Sequence, residues 1–244
     1  MAWSKDDTAI VCWDSSLECR LLVYSATQGL IARHVPYENA LGLRTVDFSP
    51  NGNYLVTGAY DQRVRLYNHI SWKEIADFEH KAFISEAEDL HVYAEEEYRE
   101  GSQYNFEERV TSRYKMQDFP VKLNPVSKIP IDKPNPPVGV SIMAWSHDSK
   151  YLATKNDNTP NCVWIWDMIA LRLHILLVHF SPVKHMAWSP KTTHLVFCTG
   201  TPRIFIWSLG GASVCDIPLE TSDFGVNKVK WNPNGKSILL NDKV

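Results

Sequence analysis

The chain has 244 residues, of which 44% are hydrophobic, and its formal net charge is −3 at pH 7. This charge argues against a protein that binds nucleic acid through a general positive field. The sequence has no basic amino-terminal segment followed by an apolar core, and its apolar runs are shorter than the ~20 residues of a membrane helix, so we expect a soluble cytoplasmic protein with no membrane or nucleic-acid partner.

A two-residue motif, an aromatic residue followed by Ser or Asn, marks the start of the chain and returns along it. The five copies are Trp3-Ser4, Phe48-Ser49, Trp145-Ser146, Trp188-Ser189 and Trp231-Asn232. Successive copies lie 45, 97, 43 and 43 residues apart, and the long step equals one 43-residue period plus 54 further residues. A period of about 40 to 45 residues is typical of a β-propeller blade with four strands.

The residues between the copies keep the same register. An aliphatic residue stands seven positions after each aromatic residue: Ile10, Leu55, Leu152, Leu195 and Ile238. Turn sequences such as "SPNGN" at 49–53 and "NPNGK" at 232–236 fall between the two positions. Further along each repeat, a strand such as "VRLYN" at 64–68 or "VWIWD" at 163–167 ends on an aromatic residue and a polar one. The pattern therefore predicts that each repeat folds, in order, into a strand, a turn, a second strand, a turn, a third strand and a less regular fourth strand.

The extra residues form an insertion at 82–137. Its first half is rich in Glu, and its second half carries six prolines between 120 and 137. Proline removes backbone donors and like charges repel, so we predict that this segment is largely loop. We expect 84–118 to be mobile and dispensable for folding, with short strands at 121–123 and 127–131 that rejoin the sheet.

The repeat resembles the WD-repeat β-propeller family. Trp166 and Asp167 form the "WD" dipeptide in register, and Asp61 and Asp157 lie in turns where such repeats carry an Asp. His179 stands nine residues before Trp188, where the family has a structural His. The resemblance implies a hydrogen-bonded structural network of His, Asp and Trp, to which we assign Trp166, Asp167, Asp61 and His179, and it implies that Trp145, Trp188 and Trp231 are structural as well.

The repeats add up to about four and a half four-stranded blades in an all-β fold. We divide the chain into blades at 1–81, the insertion at 82–137, and further blades at 138–244, with the first and last blades truncated. Both ends cut through a blade, so we expect an incomplete ring and a fragment of a larger propeller protein. A small closed ring is the alternative.

The sequence offers no catalytic or metal-binding pattern. None of the five cysteines has the spacing of a zinc site, and the chain lacks the common nucleophile, zincin and phosphate-loop motifs. Pro182 separates His179 from His185, which argues against a metal pair on one strand. We predict a protein that is not an enzyme and that holds no metal or cofactor.

Three further stretches resemble one particular family. They are "CWDSSLECRLLVYS" at 12–25, "GAYDQRVRLYNHISWKEIADFEH" at 58–80 and "LATKNDNTPNCVWIWDMIALRL" at 152–173. The family is that of the centrosomal and spindle-pole WD-repeat protein named for a gene antisense to the p-seventy-three gene, and the match covers the carboxy-terminal half of its length.

This resemblance implies a non-enzymatic adaptor in a spindle-pole complex. Such an adaptor would bind a coiled-coil centrosomal anchoring protein, tether microtubule minus ends, and help to build spindle poles and cilia. The alternative is a generic propeller adaptor, such as a substrate receptor of a ubiquitin ligase. The "KNDNTPN" stretch at 155–161 and the insertion favour the first hypothesis.

Propellers bind partners through loops at the edge of the ring, since these loops vary on a rigid scaffold. The residues that we predict to contact the partner are Lys155, Asn156, Asp157, Asn158 and Asn161, with Tyr37 and Glu38 beside them. Asp157 and Asn158 could instead only shape the turn, whereas we expect Lys155 and Asn161 to face outward.

Overall fold

The computed structural model describes residues 1–14, 18–38, 40–87, 89–100, 109–127, 135–218 and 224–242. Throughout these ranges the regular structure is β-strand, arranged as successive antiparallel sheets. None of these residues forms a helix with the length and apolar content needed to cross a lipid bilayer. The all-β propeller architecture predicted from the repeat is confirmed.

Each repeat folds into one blade, with its strands paired in chain order. Blade 1 contains β1 (Ala2–Trp3), β2 (Ala9–Trp13), β3 (Leu21–Ser25) and β4 (Gly29–His34). Blade 2 contains β5 (Leu43–Phe48), β6 (Tyr54–Ala59), β7 (Arg63–Asn68) and β8 (Glu74–Glu79).

The insertion contributes four strands, namely β9 (Phe83–Ile84), β10 (His91–Glu100), β11 (Arg109–Met116) and β12 (Val121–Lys122). Blade 3 contains β13 (Val140–Trp145), β14 (Tyr151–Asn156), β15 (Cys162–Asp167) and β16 (Arg172–Val178). Blade 4 contains β17 (His185–Trp188), β18 (His194–Cys198), β19 (Arg203–Ser208) and β20 (Gly211–Asp216), and β21 (Lys228–Trp231) pairs with β22 (Ile238–Asn241) in blade 5.

The recurring Ser after each aromatic residue explains the first turn of a blade. In blade 3 the Ser146 hydroxyl donates to Asp148 Oδ1 at 2.7 Å and accepts from the Tyr151 amide at 2.9 Å. Ser49 and Ser146 are both fully buried, and Ser49 accepts from the Tyr54 amide at 3.0 Å in the same way. A buried hydroxyl needs such partners, so the motif fixes the start of each hairpin.

The hydrophobic core lies between the blades. Four clusters of buried side chains in the described residues join blades 1 and 2, 2 and 3, 3 and 4, and 4 and 5. Leu55, Leu152 and Leu195, three of the aliphatic residues in the shared register, are fully buried. Each sheet face therefore packs on its neighbour, as expected where blades repeat around an axis.

The insertion departs from the prediction of a segment that is largely loop. The strands β10 and β11 form a long antiparallel hairpin, and β10 pairs in parallel with the outer strand β16, which gives blade 3 six strands. The strand predicted at 121–123 appears as β12, which pairs with β9, whereas 128–131 lies outside the described residues.

The alternation of side chains explains why an acidic segment packs. Val92 is buried on one face of the hairpin, and Tyr93 and Glu95 point to the other face, toward blade 4. Glu96 pairs with Arg113 and Lys115 on the neighbouring strand, so part of the negative charge is neutralised locally. Residues 91–98 and 111–116 are thus packed strands and not the loop that was predicted, and residues 101–108 lie outside the described part.

Candidate functional site

The predicted contact residues lie at one edge of the blades. In a four-stranded antiparallel blade, the turn between the second and third strands and the connection to the next blade are at the same edge. Three such segments, at 35–38, 60–62 and 155–161, the last including the end of β14, carry the predicted contact residues and Asp61, and we call them the rim loops. Their geometry decides which of the predicted side chains face solvent.

The first rim loop is held to blade 2 by Tyr37. Its hydroxyl donates to the Leu41 carbonyl oxygen at 2.6 Å, and its ring lies 5.4 Å from the Arg65 guanidinium carbon. Arg65 in turn pairs with Asp61 at 2.5 Å. Burial raises the pKa of Tyr37, so the hydroxyl remains a donor at neutral pH. Glu38 beside it is exposed.

The third rim loop is tied to blade 2 by charged and amide groups. Asp157 accepts from Arg44 Nη1 at 2.6 Å and from Lys155 Nζ at 2.9 Å. Asn156 is fully buried, and its Nδ2 donates to Gln62 Oε1 at 3.0 Å. Burial acts to raise the pKa of Asp157, but hydrogen bonds from its cationic and hydroxyl neighbours outweigh burial and lower it.

Asn158 and Asn161, at the end of this loop, form hydrogen bonds to backbone groups that flank blade 3 on either side. Asn158 Oδ1 accepts from the Gly139 amide at 2.9 Å, and Asn161 Nδ2 donates to the His179 carbonyl oxygen at 2.8 Å. The Lys155 side chain is only 13% exposed. The expectation that Lys155 and Asn161 face outward is therefore wrong, because both side chains are used within the ring.

The rim loops together form a continuous inter-blade network. Tyr37, Arg65 and Asp61 connect blades 1 and 2, and Gln62, Asn156, Asp157 and Arg44 connect blades 2 and 3. Within the described ranges, no group of three His, Cys, Asp or Glu side chains is arranged to hold a metal ion. The contacts between blades fix the position of the loops relative to one another. Glu38, next to Tyr37, is the exposed charged residue of the rim loops.

The predicted structural tryptophans join successive blades. Trp188 Nε1 donates to the Ala144 carbonyl oxygen at 2.9 Å, and Trp231 Nε1 donates to the Ala187 carbonyl oxygen at 3.0 Å. Each acceptor immediately precedes the aromatic residue of the previous blade. Trp145 is 8% exposed and packs in the cluster between blades 2 and 3.

A second histidine, which the sequence analysis missed, completes the network around the "WD" dipeptide. Trp166 Nε1 donates to Thr154 Oγ1 at 2.9 Å, and His80 Nε2 lies 2.8 Å from the same oxygen. His80 Nδ1 lies 2.7 Å from the Gln62 carbonyl oxygen, which can only accept. Nδ1 therefore carries the proton, and the Thr154 hydroxyl donates to Nε2.

The other predicted members of the network have separate roles. Asp167 Oδ1 accepts from the Ile169 amide at 2.7 Å and the Ala170 amide at 3.0 Å, which closes the turn before β16. His179 is buried against the insertion hairpin, where its Nδ1 lies 3.8 Å from Glu95 Oε2. Asp61 accepts from the Arg63 amide at 3.1 Å and shapes the turn between β6 and β7.

The fold and these inter-blade contacts are those of a WD-repeat β-propeller. The family model described as "WD domain, G-beta repeat" matches residues 34–68. The chain is 35% identical over 257 aligned residues to the mouse (Mus musculus) protein "WD repeat-containing protein WRAP73", an alignment that covers 99% of this chain and 54% of the relative. This similarity confirms the family resemblance drawn from the residues.

Two further proteins show how far the similarity extends. An uncharacterized WD repeat-containing protein of Schizosaccharomyces pombe is 21% identical, over 94% of this chain and 47% of the relative. The solved structure "Dihydro-heme d1 dehydrogenase NirN in complex with DHE" superimposes with a TM-score of 0.57 and 12% identity, over 97% of this chain and 40% of that one, and supports the fold alone. The chain spans about half the length of the two WD-repeat relatives.

Proposed function

We propose that the chain is a non-enzymatic scaffold in a centrosome or spindle-pole complex. It would bind a coiled-coil centrosomal anchoring protein and help to anchor microtubule minus ends during spindle assembly and cilium formation. The observation that carries this proposal is the 35% identity to WRAP73 over 99% of the chain, together with the stretches at 12–25, 58–80 and 152–173 that resemble the spindle-pole family.

The physical character of the fold supports an adaptor role. Rigid blades packed through buried clusters present loops whose composition can change without loss of the core. WD-repeat domains commonly act by binding other proteins. The rim loops are our proposed contact surface, with Glu38 as the exposed charge and with Tyr37, Lys155, Asn156, Asp157, Asn158 and Asn161 fixing the shape of the loops.

Localisation and capture in dividing cells test the proposal. The tagged chain should concentrate at spindle poles and co-purify with a coiled-coil protein that itself localises there. Absence from the poles together with the absence of such a protein from the purified material would contradict the proposed function.

A pair of charge reversals tests the contact surface. Glu38→Lys changes an exposed charge in a rim loop, and Lys150→Glu changes an exposed charge at the opposite edge of blade 3. We expect the first variant to weaken capture of the partner about fivefold and the second to leave it unchanged. Equal effects, or none, would remove the rim loops as the contact surface.

A further inference from the structure

The insertion hairpin is attached to the ring over a short length. Its own ladder joins β10 to β11 through eight residue pairs, from Tyr93 with Met116 to Glu100 with Arg109. Its parallel ladder with β16 contains only four pairs, from His91 with Ile175 to Ala94 with Val178. Parallel pairing is also slightly weaker per residue than antiparallel pairing. The hairpin is thus more firmly bonded within itself than to blade 3.

A buried carboxylate lies where the short ladder ends. The Glu95 side chain is 5% exposed, and its Oε2 accepts from the Phe180 amide at 3.0 Å. His179 Nδ1 lies 3.8 Å from the same oxygen, and Arg203 Nη1 of blade 4 lies 3.9 Å from Oε1. Glu95 is therefore close to charged or polar groups of both blades that the hairpin touches.

Aromatic and polar contacts complete the docked face. The Tyr114 ring lies 5.6 Å from the His179 ring and 6.0 Å from the Phe205 ring. Arg203 Nη1 donates to the Ser112 hydroxyl at 2.7 Å, while Arg203 Nε donates to Asp216 at 2.6 Å. The hairpin consequently spans the boundary between blades 3 and 4 with Glu95, Ser112 and Tyr114 turned inward.

We propose that the β10–β11 hairpin is a latch that detaches from blades 3 and 4 as one unit while the blades stay folded, and that Glu95 is the residue that holds it docked. The hairpin keeps its own eight-pair ladder when it detaches, so opening breaks the short ladder, the Glu95 contacts, the Arg203–Ser112 hydrogen bond and the packing of Val92 and Tyr114. A buried carboxylate is stabilised by its hydrogen bonds and cationic neighbours, and loss of its charge weakens the docked state directly.

The groups around Glu95 determine whether a fall in pH favours the docked or the detached hairpin. The neighbouring His179, the Phe180 amide and the Ser112 hydroxyl outweigh the effect of burial and lower the pKa of Glu95, while burial lowers the pKa of His179 below its ordinary 6.5. Tyr114 stays neutral because burial raises its pKa, and the Arg203 guanidinium of blade 4 faces Glu95 from the other side. When the hairpin detaches, His179 loses part of its burial and binds a proton more readily. Acidification below about pH 6.5 therefore favours the detached hairpin.

Hydrogen exchange on the full chain at neutral pH tests the proposal, with a matched pair of variants. Glu95→Gln removes the inward charge, and Glu96→Gln removes the outward charge of the next residue, whose carboxylate pairs with Arg113 at 3.0 Å on the exposed face. We expect Glu95→Gln to accelerate exchange about tenfold or more at the amides that join β10 to β16, within 91–94 and 175–178, and at Phe180, because the hairpin keeps its own ladder when it detaches. Strands β2 and β3 of blade 1 should be unchanged. Glu96→Gln should change exchange less than about twofold anywhere.

Three results would overturn the latch. They are exchange of the wild-type amides between β10 and β16 at the same rate as the amides within the blades, equal effects of the two variants, and acceleration by Glu95→Gln throughout the ring. If the Glu95→Gln protein does not fold, the wild-type chain decides the question at pH 7 and pH 5. After correction for the chemical rate of exchange, the amides between β10 and β16 should accelerate at the lower pH by a larger factor than those of β2 and β3, whose exchange rises only as the ring itself is destabilised, and equal factors would contradict the proposal.

Discussion

His80 and His179 occupy the same place in two neighbouring blades, but their surroundings differ. Each directly follows the outer strand of its blade, and both are buried. His80 has hydrogen-bond partners at both ring nitrogens, the Gln62 carbonyl oxygen and the Thr154 hydroxyl. His179 Nδ1 has no hydrogen-bond partner in the described residues and lies beside the inserted Glu95 instead.

The residue at one position of the next blade explains the difference. Thr154 stands nine residues after Trp145, and Phe197 stands nine residues after Trp188. The Phe197 ring lies 5.0 Å from the His179 ring and offers it no hydroxyl. The insertion supplies Glu95 and Tyr114 where the repeat supplies no polar partner. A repeat position can therefore keep its residue type while its interactions come from outside the repeat.

Replacement of each histidine by Leu should give the largest contrast. His80→Leu leaves the Gln62 carbonyl oxygen without its side-chain donor and the Thr154 hydroxyl without its acceptor, and we expect it to lower the free energy of unfolding by about 4 kcal/mol. His179→Leu removes a ring that already lacks one partner, and about 1 kcal/mol is expected. Urea unfolding of both variants measures the difference, and equal losses would contradict the distinction drawn here.

Thr154→Val tests the shared hydroxyl alone. The variant keeps the shape of the side chain but leaves Trp166 Nε1 and His80 Nε2 without their common partner. We expect a loss of about 3 kcal/mol in the free energy of unfolding. Val196→Ala, a small truncation of another fully buried β-branched residue, serves as the control for packing without hydrogen bonds.

Acidification should weaken the ring through His80. Burial lowers the pKa of His80 from 6.5 to about 4. Below pH 6.5 the unfolded chain binds a proton that the folded chain does not, so stability falls as the pH drops toward 4, by about 2 kcal/mol between pH 7 and pH 5. Urea midpoints at the two pH values measure the loss, and His80→Leu should remove this part of the dependence. A wild-type slope unchanged in that variant would assign the effect to other groups.

The smallest effect is expected on the outer face of the insertion hairpin. Arg113 is 59% exposed, pairs with Glu96 at 3.0 Å and lies over the Tyr98 ring at 4.8 Å. We expect Arg113→Ala to cost less than about 0.5 kcal/mol, because exposed pairs are screened by water and salt. A loss above about 1 kcal/mol, measured by thermal unfolding, would show that the outer face of the hairpin matters as much as its inner face.

Repeat spacing predicted the blades because side-chain identity recurs at a fixed distance from each aromatic residue. The 43-residue steps placed β13 to β20, and the shared aliphatic position fell on the fully buried Leu152 and Leu195. The repeat spacing did not predict the role of His80, because the insertion separates this residue from the next blade. The end of "DFEH" at 77–80 was the signal that could have found it.

Composition misled the prediction for the insertion. Counting Glu residues ignores which face of a strand each one occupies, and only the alternation within "HVYAEEEYRE" at 91–100 distinguishes inward Glu95 from outward Glu96. The prediction for the rim loops was wrong for a different reason. Arg44 lies 113 residues before Asp157, and no local pattern in the sequence shows that the fold brings the two together.

The tryptophan bonds between blades have a consequence for how such a ring can change over evolutionary time. Trp188 reaches back to Ala144, and Trp231 reaches back to Ala187, so the donor in one repeat and the acceptor in the preceding repeat sit at matching places. A duplicated repeat inserted in register would bring both its donor and its acceptor with it. Blade number can therefore change by gene duplication without the invention of a new interface.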